Sequence, residues 1–191
     1  MHILLTRPLD DCSDLIIKFK ELGHTVSHLP LIKITKMQYE KININDFSAI
    51  IFTSSNSIKY LNLDNINKTL KCFCVGSTTE KFARASGFQN VIAADGNVRA
   101  LKELILQNHD KKDGKILYVS GELISFDLDK DLSNEGYEII RIINYSVEHN
   151  NEIKDDFIEM LKKNIPDIVY VYSENSSKSF LNIIKKYQLI D

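Results

Sequence analysis

Short apolar runs alternate along this chain with longer stretches in which apolar residues recur at three- and four-residue spacing. The runs at residues 3–6, 26–29, 49–53, 72–75, 90–93, 115–119, 138–140 and 167–172 are rich in Ile, Val, Phe and Tyr and predict strands. Between them the helical spacing predicts crossover helices, and together the two patterns predict an α/β fold built on parallel sheets. Asp10 or Asp11 can cap a helix running to Leu22, where Leu15, Ile16, Phe19 and Leu22 fall on one face and Gly23 supplies the stop. Further helices are predicted over 78–86, over 97–107 with Asn97 as its cap, over 127–135, and over 152–164 just ahead of Pro166. Segments 31–39 and 141–149 break this rhythm. They are extended and read as strands or linkers between lobes, while 41–46 and 108–114 read as loops.

The chain also repeats itself. Ile3-Leu4-Leu5, Asp14-Leu15, Gly23 and Val26 reappear, shifted by 113 positions, as Ile116-Leu117-Tyr118, Asp127-Leu128, Gly136 and Ile139. Ile51-Phe52-Thr53-Ser54-Ser55-Asn56-Ser57 reappears as Tyr170-Val171-Tyr172-Ser173-Glu174-Asn175-Ser176, shifted by 119. The first copy continues through Cys72-Phe73-Cys74-Val75-Gly76-Ser77-Thr78-Thr79 to Gly87-Phe88, and the second has no counterpart to that unit. The expectation is three βα units followed by two, with a C-terminal unit missing.

Composition narrows the class. The 24 Lys and Arg against 26 Asp and Glu leave a formal charge of −2, which gives no electrostatic reason for a nucleic-acid or anionic-membrane partner. No apolar run approaches the ~20 residues of a membrane span, and residues 1–15 lack a basic leader and cleavage site, so a cytoplasmic protein is expected. Cys72 and Cys74, two apart in one strand, are expected as reduced thiols on one face. The five His, at 2, 24, 28, 109 and 149, have no metal-ligand spacing, and His24 and His28 straddle a strand, where a structural role is expected. A Gly-x-Gly-x-x-Gly or phosphate-loop motif does not occur.

Several motifs in order resemble the uroporphyrinogen-III synthase family: Leu5-Thr6-Arg7-Pro8, Gly23-His24, Leu29-Pro30-Leu31, Phe52-Thr53-Ser54-Ser55-Asn56, Val75-Gly76-Ser77-Thr78-Thr79 with Gly87-Phe88, Leu117-Tyr118-Val119-Ser120-Gly121, Asp127-Leu128, Gly136, Tyr145 and Ser173. The resemblance implies two flavodoxin-like lobes with parallel sheets, joined by a two-stranded extended linker. Residues 1–30 and 152–191 would make a discontinuous first lobe, 31–45 and 142–151 the linker segments, and 46–141 the second lobe. The family's final unit carries another Gly-x-x-Thr-Ala turn that this sequence lacks, so the first lobe is expected to be incomplete.

The resemblance further implies a lyase of heme and porphyrin biosynthesis. It would close the linear tetrapyrrole hydroxymethylbilane into uroporphyrinogen III with loss of water and inversion of the last ring, using no cofactor and no metal. The partner is then a small-molecule substrate with eight carboxylates, and the chain is expected as a monomer in transient contact with the preceding pathway enzyme. Backbone N–H groups at helix starts suit such an anion, and the candidate binding residues sit in strand-to-helix turns: Arg7, Thr53, Ser54, Asn56, Gly76, Thr78, Ser120, Gly121 and Ser173. Arg7 can clamp a carboxylate in bidentate fashion or serve as a structural ion pair. By resemblance Tyr145 is the catalytic candidate, a phenol donating to the departing hydroxyl; from the residues alone it reads as a packing Tyr on an extended segment. Two other readings compete. One is a truncated non-catalytic module that binds a tetrapyrrole or other anion without turnover; the other is a flavodoxin-like nucleotide or phosphate binder.

Overall fold

Buried at every residue, β1 (His2–Leu5) is the centre of a three-stranded parallel sheet, flanked by β2 (Thr25–His28) and β9 (Ile168–Tyr170). The computed structural model describes residues 1–64, 66–150 and 152–189, without the side chains of 174 and 175. Positions 151, 190 and 191, assigned above to the return linker and the first lobe, lie outside the described residues. Helix α1 (Ser13–Glu21) joins β1 to β2, α6 (Asp155–Lys163) leads into β9 and α7 (Glu174–Tyr187) follows it. Leu4 packs with Leu29, Ile158, Leu161 and Ile183, whereas Ile3 and Leu5 pack with Cys12, Leu15 and Phe19. One strand thus feeds two cores, because successive side chains point to opposite faces and both faces carry helices.

The start of α1 departs from expectation. Leu9–Asp11 forms a single 3-10 turn, and the N-cap of α1 is Cys12, without a side-chain cap bond. The buried Cys12 thiol turns onto the Arg7 and Pro8 carbonyls, which holds Asp10 and Asp11 in the tighter turn ahead of the helix.

The second sheet has six strands, in the order β3 (Ile32–Lys36), β8 (Ile139–His149), β7 (Ile116–Gly121), β4 (Ala49–Phe52), β5 (Lys71–Val75) and β6 (Asn90–Ala94). From β8 to β6 neighbouring strands are parallel. Helices α2 (Ser55–Lys59), α3 (Gly76–Ala85), α4 (Val98–Asn108) and α5 (Leu128–Asn134) make the connections. Asn97 caps α4 as its sequence position predicts, accepting from the N–H groups of Arg99 and Ala100. Both odd segments are strands: 31–39 contains β3, and 141–149 merges with 138–140 into the single eleven-residue β8. Cys72 and Cys74 lie side by side on β5, Sγ to Sγ 3.7 Å, free and buried, which pushes the Cys72 thiol up through its bond to Cys74 and its burial.

The chain forms two compact units, Met1–Ile34 with Val147–Asp191, and Thr35–Ser146. It passes from one to the other within β3 and returns within β8. The repeat is visible in their pairing. In the first unit Ile3 pairs Val26 and Leu5 pairs Tyr170; in the second Ile116 pairs Ile139 and Tyr118 pairs Ile51. These are the positions that the offsets of 113 and 119 make equivalent.

Candidate functional site

In the second unit the chain runs from β4 outward through β5 to β6, then returns to the other side of β4 to lay down β7 and β8. Strand order therefore reverses between β4 and β7, and the crevice beyond their carboxyl ends is where an open parallel sheet receives a ligand. A cavity of about 190 Å³ opens there, lined by Thr53, Ser54, Tyr118, Gly121, Phe126 and Tyr145 among others.

Each wall has a local cause. Ser54 is the N-cap of α2, its hydroxyl accepting from Asn56 N–H at 3.3 Å, so the turn after β4 brings Thr53 and Ser54 to the opening. Thr53 Oγ1 lies 3.4 Å from Tyr118 Oη. Burial pushes the Tyr118 phenol above its ordinary range, against the opposing pull of the Thr53 contact and the Arg141 guanidinium, so it stays a neutral donor. Arg141 Nε donates to Ser120 Oγ at 2.8 Å, and its Nη2 donates to the carbonyls of Gly121 at 3.0 Å and Glu122 at 3.3 Å. The end of β7 is thereby tied to β8.

Tyr145 reaches this cavity because β8 contains a bulge. Ser120 pairs Ile143 but Gly121 pairs Tyr145, so Asn144 is an extra residue in β8. In a regular ladder position 145 shares the face of Ser120; the extra residue sets it against Gly121 on the other face. Asn144 is itself fixed, its Nδ2 donating to Ser57 O at 2.7 Å and its carbonyl accepting from Met37 N–H at 2.9 Å. The Tyr145 ring then covers Gly121 so closely that a Cβ there would stand 2.6 Å from Cζ and 2.9 Å from Oη.

The proposed binding residues divide accordingly. Thr53, Ser54, Gly121 and Tyr145 come together around one cavity. Ser120 is fully buried, its hydroxyl bridging Arg141 and the Gly121 carbonyl. Asn56, Gly76 and Thr78 lie outside the lining; Gly76, at φ 76°, opens α3 with free space where a Cβ would stand, and Thr78 is exposed. Sequence reasoning passed over Tyr118 and Arg141. Tyr118 sits in a strand buried at all six positions, so no alternation marked its direction.

Arg7 and Ser173 belong to the first unit, whose strand order reverses between β1 and β9. The Arg7 guanidinium lies 4.1 Å over the Tyr172 ring, and no ion pair to Arg7 occurs among the described residues. Its carbonyl accepts from His28 Nε2 at 2.6 Å. Ser173 caps α7, its hydroxyl accepting from Ser176 N–H at 3.1 Å. Burial pushes the Tyr172 phenol up, with Arg7 opposing. A hollow of about 650 Å³ is lined instead by the segments that lead into β4 and β5, and by none of the site candidates.

A sequence model of the family described as Uroporphyrinogen-III synthase HemD matches residues 13–191. The chain belongs to the uroporphyrinogen-III synthase family. Solved structures of that name share its fold. The synthase of Helicobacter pylori is 17% identical with a TM-score of 0.61, over 95% of this chain and 78% of that one. A mutant synthase of Thermus thermophilus is 13% identical with a TM-score of 0.59, over 97% of this chain and 76% of that one. Comparison with curated proteins gives no match. The uroporphyrinogen-III synthase family is one of lyases of porphyrin biosynthesis, with a tetrapyrrole as the family's substrate. Among the described residues no helix is long and apolar enough to cross a membrane, and no three His, Cys, Asp or Glu side chains are grouped to hold a metal.

Proposed function

We propose that this chain cyclises hydroxymethylbilane to uroporphyrinogen III, with loss of water and inversion of the last pyrrole ring. The observation that carries the reading is the Tyr145 phenol, set by a bulge over Gly121 on the wall of a cavity at the reversal of strand order.

The reaction needs no metal or organic cofactor in this scheme. The carbon–oxygen bond of the terminal hydroxymethyl group breaks, the pyrrole nitrogen lone pair delocalises the resulting cation, and the hydroxyl leaves as water. Tyr145 Oη donates a hydrogen bond to that hydroxyl as negative charge develops on it and passes it the proton that makes it water, a proton restored to the phenol by the one released at the final ring closure. Attack by the substituted carbon of the last ring gives a spiro intermediate, which reopens and closes in the inverted sense with loss of a proton. Ring closure happens without an enzyme, giving mainly the uninverted isomer, so much of the protein's task is to hold one folded geometry of the bilane. Thr53, Ser54, Asn56, Gly76, Thr78 and Gly121 in the second unit, and Arg7 and Ser173 in the first, serve this as anchors for acetate and propionate groups. The Ser54 and Ser173 caps leave other orphan N–H groups at their helix starts, and among the described residues the Arg7 guanidinium is held by an aromatic ring and no carboxylate. Ser120 supports the anchors from behind.

The test is chromatographic separation of isomers I and III after hydroxymethylbilane is generated in the presence of the purified chain, beside a control without it. Isomer III above the control is expected. Isomer I alone, together with binding of uroporphyrinogen, would replace this reading with that of a non-catalytic tetrapyrrole-binding module.

A further inference from the structure

The chain has four arginines, at 7, 84, 99 and 141. Two are engaged by protein acceptors: Arg84 with Glu80 at 2.9 Å and with the Val91 carbonyl, and Arg141 with the end of β7. Arg99 is not. Among the described residues its guanidinium makes no ion pair or hydrogen bond; it is exposed, with Cζ 5.7 Å over the ring of Phe126. That arrangement repeats Arg7 over Tyr172 in the first unit.

The position is a poor one for a cation on grounds of stability. Arg99 sits in the first turn of α4, where the helix dipole favours anions, and that turn has no acidic residue to offset it. Residues that break a local rule in this way concentrate at functional sites. The helix terminus itself offers little, since Asn97 already satisfies the N–H groups of Arg99 and Ala100. The unengaged donor is the guanidinium.

It faces a second cavity of about 480 Å³, lined by Val75, Gly96, Val98, Ser125 and Phe126 with Arg99 itself. Val98, Ser125 and Phe126 also line the Tyr145 cavity, so the two adjoin across one wall. Val75 caps α3 without a side-chain bond, which leaves the first N–H groups of that helix open at the same border. A pyrrole in the first cavity would direct a carboxylate-bearing substituent into the second.

We propose that Arg99, pre-aligned by Phe126, clamps one acetate or propionate of the tetrapyrrole in bidentate fashion and so fixes the seating of the ring beside Tyr145. The proposal rests on the function assigned above. Its role is binding; it touches no reacting bond.

The experiment compares the full-length chain with Arg99→Gln and Arg99→Lys, measuring kcat and KM for isomer III formation and the Kd for uroporphyrinogen III. Loss of a charge-assisted, two-point contact should raise KM and Kd by about tenfold in Arg99→Gln, with kcat changing far less and the melting temperature unmoved. Arg99→Lys should recover part of the loss, because an ammonium keeps the charge without the fork. KM and Kd unchanged in Arg99→Gln, with the wild-type chain active or binding, would overturn the clamp alone. A wild-type chain that neither forms isomer III nor binds uroporphyrinogen would overturn the functional reading and the clamp together.

Discussion

At the scale of single residues, Tyr145 and Gly121 act as a pair. Gly121 is outside the left-handed region that glycine usually serves, and its missing Cβ makes room for the Tyr145 ring. Gly121→Ala should therefore force the ring aside, costing about 1–3 kcal/mol of stability from overpacking and lowering kcat as Oη moves; an unchanged urea midpoint and kcat would show that the ring yields without consequence. Tyr145→Phe keeps the ring and removes only the donor. Its kcat should fall by at least about tenfold while its melting temperature stays put, and an unaltered kcat would take Tyr145 out of the chemistry. The family resemblance marked Tyr145 and the strand-to-helix turn marked Gly121, but neither could show that the two touch. Ser120 illustrates the limit: a serine ending a strand reads as an exposed donor, and only the fold reveals Arg141 beside it in the interior.

Among elements, the bulge in β8 links strand pairing to the site. The apolar runs made every strand but β3 legible, and most helices with them, because apolar spacing is a local property; β3 lies in 31–39, which reads as strand or linker. A bulge depends on what two strands do against each other, so the separate readings of 138–140 and 141–149 hid a single strand with an extra residue at Asn144. The first helix start was misplaced for a similar reason: the Cys12 thiol bonds to backbone that precedes it, and no cap motif announces that. Asn144→Ala should test the bulge directly. It leaves the buried Ser57 carbonyl without its donor, a loss of about 1–3 kcal/mol, and it frees the backbone that aims Tyr145. The expected result is a lower unfolding midpoint accompanied by a lower kcat, although Tyr145 itself is intact. A stability loss with full kcat would mean that the strand holds its register through Gly121 alone.

For the molecule as a whole, duplication was legible as two offsets in sequence, and the same offsets reproduce the strand register of both sheets. What the offsets could not reveal is where the stability of the larger unit depends on pH, since that follows from the contacts of one buried imidazole. His109 closes α4 against the sheet, with Nε2 3.2 Å from Ser48 Oγ, its ring beside those of Phe73 and Tyr137, and Nδ1 3.6 Å from the half-exposed Asp113 carboxylate. Burial pushes its pKa below the ordinary 6.5, and the Lys71 ammonium adds to that; the Gly114 backbone contact and the Asp113 and Asp110 carboxylates pull the other way without prevailing. The unfolded chain therefore takes up a proton near pH 6.5 that the folded chain still refuses. Stability is complete above that pH and is lost as the pH falls from there toward the folded pKa, at a slope of at most about 1.4 kcal/mol per pH unit for one proton. Urea unfolding followed between pH 7.5 and pH 5.5 should show this decline, and His109→Gln should flatten it while lowering stability at neutral pH. An equal slope in the variant would mean that the imidazole is hydrated in solution and that the acid sensitivity of the unit arises from its carboxylates.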